Sequence, residues 1–364
     1  MKEIVFVTPQ IKTGGGNRVF FELANILTEE YKIKIFYPNN SQEKHTFTVN
    51  EHIQFVAVGR LAKTKMGKLK NVILTFFSLN KYAKNSFVII TDPIMAIFGF
   101  LLRVKLRYRF IQADDYNIFN DRLIIQSKLL LEIYKYLTML SYKYDYKFIF
   151  NSQYSYNQFC KYNLSFSGEP NIVHPAINHS IFNSLKIKEL KKEKKQICLV
   201  ARKHPLKGLH IFIEAWQSLS FSTKEKVSKV VLISHDDLSN FNTTDFEIVI
   251  PKSDLEIAAI FQESDIFISS SLSEGFGLPP LEAMGCGSAV IISRSGGVNE
   301  FAEPGFNCIM YSPESPSELA ETIEYVLNNH DLIEKIQESG LKTVKRFDWK
   351  YSASALSNIL RNSQ

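Results

Sequence analysis

The stretch Ile266-Phe-Ile-Ser-Ser270-Ser271-Leu-Ser-Glu274-Gly-Phe-Gly-Leu-Pro-Pro-Leu-Glu282-Ala-Met-Gly-Cys-Gly287 reads as a strand, a glycine loop and a helix start. An apolar run this short, from Ile266 to Ser270, suits a parallel strand buried on both faces. The loop therefore leaves the strand at its carboxyl end. Pro279 and Pro280 lack an N–H and suit the opening of a helix, here expected over Pro280 to Met284. A strand handing over to a helix through such a loop is the unit of an α/β fold.

The same alternation runs outward in both directions. Towards the C-terminus come a strand over Ala289 to Ser293 and helices over Ser317 to Asn328 and Asp331 to Val344. Towards the N-terminus come strands Ile197 to Val200 and Val230 to Ser234, with helices Gly208 to Leu219 and Leu255 to Phe261. Before a charge run from Lys186 to Lys195, read as a solvated loop, the pattern repeats. Strands are expected at Ile4 to Val7, Ile33 to Tyr37, Ile53 to Val58, Phe87 to Ile90, Tyr108 to Gln112 and Phe148 to Asn151. Helices are expected at Arg18 to Leu27, Ile94 to Leu102 and Leu123 to Tyr142. The chain thus reads as α/β, two doubly wound Rossmann-like domains facing a cleft. The expected boundaries are 1–172, 173–345 and a final helix over 346–364. Ligands of such sheets bind at the carboxyl ends of the strands.

Composition agrees. The 364 residues are 45% hydrophobic and 22% charged, which fits two folded domains and excludes a disordered chain. Four cysteines without a CxxC pair argue against a disulfide framework or a zinc site and suit a reducing cytoplasm. No stretch reads as a signal peptide, and Asp92 with Pro93 interrupts the most apolar run. The net charge of +6 is uneven: residues 1–172 hold 23 Lys and Arg against 13 Asp and Glu, and the remainder is net acidic. A basic first half suits an anionic partner or a plain solvated surface.

Candidate chemistry gathers at the glycine loop. Gly275 and Gly277 allow close backbone approach, and the amides from Gly275 through Phe276 and Gly277 to Leu278 are open to hydroxyls or phosphate. Glu274 sits on the loop and Glu282 in the first turn of the next helix. Two carboxylates, free amides and a helix N-terminus can grip a molecule that carries both hydroxyls and phosphate, as a sugar nucleotide does. The competing reading is a polar loop with capping glutamates. Arg202 and Lys207 follow another strand end, where positive charge would stabilise a phosphate leaving group; the alternative is a pair of surface cations.

These residues resemble the E-x7-E signature of family 4 retaining glycosyltransferases of the GT-B fold. Ala201-Arg202-Lys-His-Pro-Leu-Lys207-Gly208, Ser295-Gly-Gly-Val-Asn-Glu300, Glu303-Pro-Gly-Phe-Asn-Cys308 and Gly14-Gly15-Gly16-Asn17-Arg18 are similar to other segments of that family. Phe347-Asp-Trp349 and the tail resemble its final helix, which crosses back to the first domain. The resemblance implies a metal-independent, retaining transfer of a hexosyl or deoxyhexosyl group from a nucleoside diphosphate sugar to a saccharide acceptor, lipid-linked in some members, in surface-polysaccharide synthesis. It implies that Arg202 and Lys207 clamp the diphosphate, Glu282 takes the ribose and Glu274 holds the donor sugar. Phe276, Gly277 and Leu278 would offer amides, Gly15 and Gly16 would approach the phosphates, and the base would lie near Val249 to Pro251. No cofactor is implied. No D-x-D triplet occurs, in keeping with two cations in place of a metal. A non-catalytic sugar-nucleotide-binding subunit and an epimerase of the same fold are the competing functions. A dehydrogenase is set aside, because Val19 stands where the third glycine of its loop belongs.

One departure is plain. Where many relatives carry a histidine, this chain has Gln112-Ala-Asp114-Asp115. Asp114 and Asp115 are candidates for orienting the acceptor hydroxyl, with a helix N-cap as the equal alternative. Arg60 to Lys84 interleaves seven basic residues with Val72, Ile73, Leu74, Phe76, Phe77 and Leu79. This suits an anionic membrane surface at the inner face of the cell membrane, or an ordinary helix with a cationic outer side. Nucleic acid is not expected, since no binding motif accompanies the charge.

Overall fold

Ile4, Val5, Phe6 and Val7 are all excluded from solvent. They form the middle of a parallel sheet, where both faces are covered and apolar residues need not alternate. In the computed structural model this strand, β1 (Glu3–Val7), pairs in parallel with β2 (Lys32–Pro38) on one side and β4 (Phe87–Ile90) on the other. The structure describes residues 1–364 except 42–44, 46, 119–124, 126, 167, 185–192 and 364.

The first unit comprises Met1–Pro175 and Trp349–Gln364. After β1 come α1 (Gly15–Leu27), β2, β3 (Gln54–Val58) and α2 (Lys65–Tyr82). Then follow β4, the short α3 (Pro93–Ile97) with a 3-10 turn at Phe98–Leu101, and β5 (Arg107–Ile111). The remaining elements before the second unit are α4 (Lys128–Ser141), β6 (Lys147–Phe150) and α5 (Gln153–Tyr162). The order is β3-β2-β1-β4-β5-β6, with every pairing parallel. The helix expected over Ile94 to Leu102 is one α-turn and then a 3-10 turn. Asp92 fixes its start by accepting from Ile94 N at 2.8 Å. The helix expected from Leu123 begins at Lys128, capped by Ser127; residues 123, 124 and 126 lie outside the described residues.

The second unit, Ala176–Asp348, repeats the plan. It runs β7 (Lys195–Val200), α6 (Leu209–Ser218), α7 (Phe221–Lys224), β8 (Val227–Ile233), β9 (Glu247–Val249) and α8 (Asp254–Glu263). It continues with β10 (Ile266–Ser269), α9 (Leu278–Gly285), β11 (Ala289–Ser293), β12 (Ile309–Tyr311), α10 (Pro316–Leu327) and α11 (His330–Val344). The order is β12-β11-β10-β7-β8-β9. Edge strands β9 and β12 escape a sequence reading because three residues carry no period. Of the charge run expected as a loop, residues 186–192 lie outside the described residues. Glu193 and Lys194 are exposed bend residues, as expected of such a loop, whereas Lys195 departs from it: it opens β7 and is buried.

The chain then returns to the first unit through α12 (Trp349–Arg361), so the boundaries fall at Pro175/Ala176 and Asp348/Trp349. Its buried positions Trp349, Ser352, Ala353, Leu356, Ser357 and Leu360 form one helical stripe. Tyr31 Oη and Ser357 Oγ lie 2.9 Å apart, and Ser352 Oγ donates to His174 O at 2.6 Å. Arg361 meets Glu30 at 2.7 Å at the surface.

Replacing Leu356 by Ala should destabilise the protein by about 2–5 kcal/mol, the cost of a buried cavity. Arg361→Ala should cost less than about 1 kcal/mol, since its ion pair is solvated. Denaturant titration of both variants checks the ranking.

Candidate functional site

In the second sheet β7 is the first strand, yet it lies between β8 and β10. The loops after β7 and β10 therefore lead to helices on opposite faces, and the carboxyl ends of these two strands are where ligands of such a sheet bind. The loop after β7 carries Arg202 and Lys207, and the loop after β10 carries Glu274. Leu272 N donates to Leu206 O at 2.8 Å, and Ser270 Oγ to Lys207 O at 3.3 Å, which fastens the two loops together. Gly208 makes this approach possible. Its φ is +60°, and a Cβ there would lie 1.9 Å from the carbonyl oxygen of Ser270.

Across this junction Lys207 Nζ meets Glu274 Oε1 at 2.7 Å, and Ser271 Oγ donates to the same oxygen at 2.7 Å. The lysine side chain is 36% exposed and the glutamate 12%. The ammonium thus offsets a largely buried carboxylate while keeping an open side towards solvent.

The main chain of Glu274 is fixed as well. Its N–H donates to Ser295 O at 2.7 Å, and Gly297 N donates to Glu274 O at 2.9 Å. A Cβ on Gly297 would stand 2.1 Å from Gly275 O, so only glycine lets the loop after β11 lie against the loop after β10. Gly277 takes φ +97° as the N-cap of α9. Phe276 turns its ring into the core, 5.6 Å from Phe301 and 5.8 Å from Phe347. α9 starts at Leu278, earlier than expected, so Glu282 stands in the second turn and not the first; it is buried. With prolines at 279 and 280, the helix-end donors are Gly277 and Leu278.

Arg202 is held by a residue that sequence reading missed. Its Nε donates to Asp236 Oδ2 at 2.9 Å, and Lys203 N donates to the same oxygen at 2.9 Å. Burial works to raise the Asp236 pKa, but the Arg202 hydrogen bond and the Lys203 amide outweigh it and hold the carboxyl below its ordinary value. Asp236 follows β8, the other neighbour of β7. The signal for it was an acidic pair just past the strand read to Ser234. Nε is taken, and no hydrogen bond engages the two terminal nitrogens of Arg202 among the described residues. These point a forked donor pair, the geometry that grips phosphate oxygens. Pro251 is buried just past the edge strand β9, where Ser234 N donates to Val249 O at 3.0 Å.

In the first unit Gly15 and Gly16 open α1 and Gly14 caps it. None of the three has a left-handed φ, and a Cβ on Gly14 or Gly15 would meet nothing within 4 Å. Neither conformation nor packing within the unit calls for glycine there. Gln112 Nε2 donates to Gly16 O at 3.2 Å, and its Oε1 is buried without a partner among the described residues. Asp115 corrects the expectation of an acceptor-facing carboxylate. It is buried in an ion pair with Arg109, whose Nη1 also donates to Ile90 O and Phe110 O. Among the described residues neither aspartate caps a helix; residues 119–124 lie outside them. Asp114 closes a local turn, accepting from Asn117 N at 3.2 Å and Asn117 Nδ2 at 2.8 Å. All four cysteines are free, and no three acidic, His or Cys side chains converge as metal ligands among the described residues.

Burial raises the Asp115 pKa to about 6, against the opposing pull of Arg109. The folded state therefore holds this proton more tightly than the unfolded chain, whose carboxyl titrates near the ordinary 3.8. Stability contributed by the protonated group is present below pH 4 and is lost as pH rises to about 6. Wild type should lose about 1–3 kcal/mol across that window relative to Asp115→Asn, measured by denaturant unfolding at stepped pH. Parallel profiles for the two proteins would refute this assignment.

Residues 181–343, a little under half of the chain, match the family model described as Glycosyl transferases group 1. An uncharacterized glycosyltransferase of Methanocaldococcus jannaschii is 34% identical over 190 residues, covering 50% of this chain and 48% of that protein. The chain spans about half the length of the curated relatives it matches first. Among solved structures, HepE of Anabaena in complex with UDP and glucose aligns over 100% of both chains at 17% identity, with a TM-score of 0.72. WaaG, a glycosyltransferase involved in lipopolysaccharide biosynthesis, covers 98% of this chain and 99% of its own at 14% identity and a TM-score of 0.77. The two doubly wound sheets take the GT-B fold, and the candidate site of the second unit lies wholly within the segment that matches the glycosyl transferases group 1 model.

Proposed function

We propose that this chain is a retaining glycosyltransferase. It moves a hexosyl or deoxyhexosyl group from a nucleoside diphosphate sugar to a saccharide acceptor in the synthesis of a surface polysaccharide. The observation that carries the reading is the junction of Lys207, Glu274 and the Asp236-held Arg202 at the strand-order reversal of the second sheet. Two cations and two carboxylates, with helix-end amides, match a ligand that has a diphosphate at one end and hydroxyls on both sides of it. HepE, bound to UDP in its crystal structure, supports the nucleotide class.

On this reading Arg202 binds phosphate oxygens through its forked end. Lys207 exchanges part of its pairing with Glu274 for the diphosphate as negative charge develops there. The bond from the sugar's anomeric carbon to phosphate oxygen breaks, and a bond to the acceptor hydroxyl forms on the same face. The acceptor proton passes to the departing phosphate. Lys207 and Arg202 stabilise that leaving group in place of a metal ion. Glu274, released in part from Lys207, accepts a hydroxyl of the transferred sugar, and Glu282 accepts from the ribose. Leu278 and Gly277 supply main-chain donors.

Arg202→Ala or Lys207→Ala should each lower turnover by ~10²–10³, the scale for losing one transition-state charge partner. Circular dichroism should show an intact fold, since both side chains are partly solvated. A screen of UDP, dTDP and GDP should find one that raises the melting temperature of wild type by mass action. Absence of a shift with any nucleoside diphosphate would overturn the reading.

The two glutamates should separate. Glu282→Gln removes a contact that is equal in ground and transition states, so KM should rise while kcat holds. Glu274→Gln sits against the transferred sugar and should lower kcat more than donor affinity. Steady-state kinetics with the donor varied distinguishes the two, and the reverse pattern would exchange their roles.

A further inference from the structure

The outer face of α4 carries Leu129, Ile133, Tyr136 and Leu140, all exposed, with Leu129 and Tyr136 at 70% and 67%. They recur at i, i+4, i+7 and i+11, a single stripe along the helix. The opposite face, with Leu131, Tyr134 and Thr138, is buried against the unit. α4 is therefore apolar on two sides, and only one of them is covered. The stripe does not end with α4. The 3-10 turn Phe98–Leu101 touches α4 and exposes Phe100, whose ring meets Tyr144 edge-on at 6.3 Å. α2 touches the same turn and exposes Phe77 and Tyr82 near its C-terminal end. Single exposed apolar residues are ordinary, whereas a stripe continued by aromatic neighbours marks an interaction surface.

Charge identifies the partner. From Lys65 to Lys105 the chain carries seven Lys and Arg and one acidic residue, Asp92. α4 adds Lys128 and Lys135 against Glu132, and Lys143 and Lys147 follow it against Asp145, which pairs with Arg107 at 2.7 Å. Apolar side chains that reach past headgroups, tyrosines at the boundary and lysines whose stems lie along the apolar surface suit an anionic bilayer.

We propose that the first unit docks on an anionic lipid bilayer through the outer face of α4, with Phe100 and the C-terminal end of α2 beside it. This relocates the lipid contact expected over Arg60 to Lys84. In that segment Val72, Phe76 and Leu79 are core residues, Ile73 and Leu74 are half-buried, and of its apolar residues read from sequence only Phe77 is exposed. The apolar contact comes from α4, and α2 contributes mainly charge. The proposal does not rest on the donor reading, which the melting shift with UDP reports separately.

The 364-residue protein is to be sedimented with vesicles of phosphatidylcholine, with and without phosphatidylglycerol. Wild type should bind the anionic vesicles, weaken as salt rises, and leave neutral vesicles unbound. Leu129→Ser with Tyr136→Ser should lower the affinity at least about tenfold, from lost burial of two large side chains. Its melting temperature should stay unchanged, because both positions are exposed. Lys128→Glu with Lys143→Glu should weaken binding by about fivefold or more per lysine. Failure of wild type to bind anionic vesicles, or equal binding by both variants, overturns the proposal. A wild-type dimer that Leu129→Ser with Tyr136→Ser dissociates in analytical ultracentrifugation overturns it too, in favour of a second copy as the occupant.

Discussion

The placement of β7 between β8 and β10 is the constraint from which the candidate site follows. A parallel sheet that grows first one way and then the other must send the connections of its two central strands to opposite faces. The two loops nevertheless meet at the strand ends, and whatever charge they bring is held there. Arg202 and Lys207 come from the first strand, Asp236 from its neighbour on one side and Glu274 from its neighbour on the other. Gly208 and Gly297 are the means of closing the loops on one another, since at each a Cβ would run into backbone and not into a side chain that could move. The glycines and the charges therefore depend on each other: without the close approach, the distance from Lys207 to Glu274 has no reason to be a hydrogen bond.

Two ion pairs in this chain show why burial separates structural charge from chemical charge. Arg109 and Asp115 are both buried, and the guanidinium also satisfies the carbonyls of Ile90 and Phe110. Every partner is internal, and exchange for a ligand would leave a charge stranded in a dry interior. Lys207 and Glu274 differ in that the lysine is partly solvated. Their mutual attraction is screened on the lysine's open side, Ser271 also holds the glutamate, and on the proposed reading an incoming phosphate takes the place of the carboxylate at the ammonium. Asp236 plays a third part. Its carboxyl is held ionised by Arg202 and the Lys203 amide, and it fixes the guanidinium by Nε while the forked end remains available.

Much of this was legible in the residues, and the exceptions have physical causes. The buried parallel strands announce themselves as short apolar runs, so Ile4 to Val7 and Ile266 to Ser270 were found within a residue or two. Strands β9 and β12, at three residues each, were invisible because three residues are too few to carry a period. At the site, Glu274, Arg202 and Lys207 could be read as candidates from charge beside glycine at strand ends. Asp236 could not, because its significance lies in a hydrogen bond to a residue 34 positions away. Asp115 misled for the opposite reason. An acidic pair after a strand looks the same in sequence whether it faces solvent or, as here, neutralises an arginine carried in from the strand before it.

The helix α4 shows where an amphipathic reading breaks down. Sequence periodicity reports that a helix has an apolar side, but not how many sides will find a cover within the fold. In α4 Leu131, Tyr134 and Thr138 meet the unit, which accounts for one stripe. Leu129, Ile133, Tyr136 and Leu140 form the second, and water is a poor environment for it. A chain evolving only for its own stability would gain by replacing those four with polar residues, since surface polar substitutions carry little cost. The arrangement is understandable when the surface answers to something besides folding. The excess of basic over acidic residues around it sets the sign of that something: a positively charged surface with apolar side chains at its centre is suited to a negatively charged interface with an apolar interior.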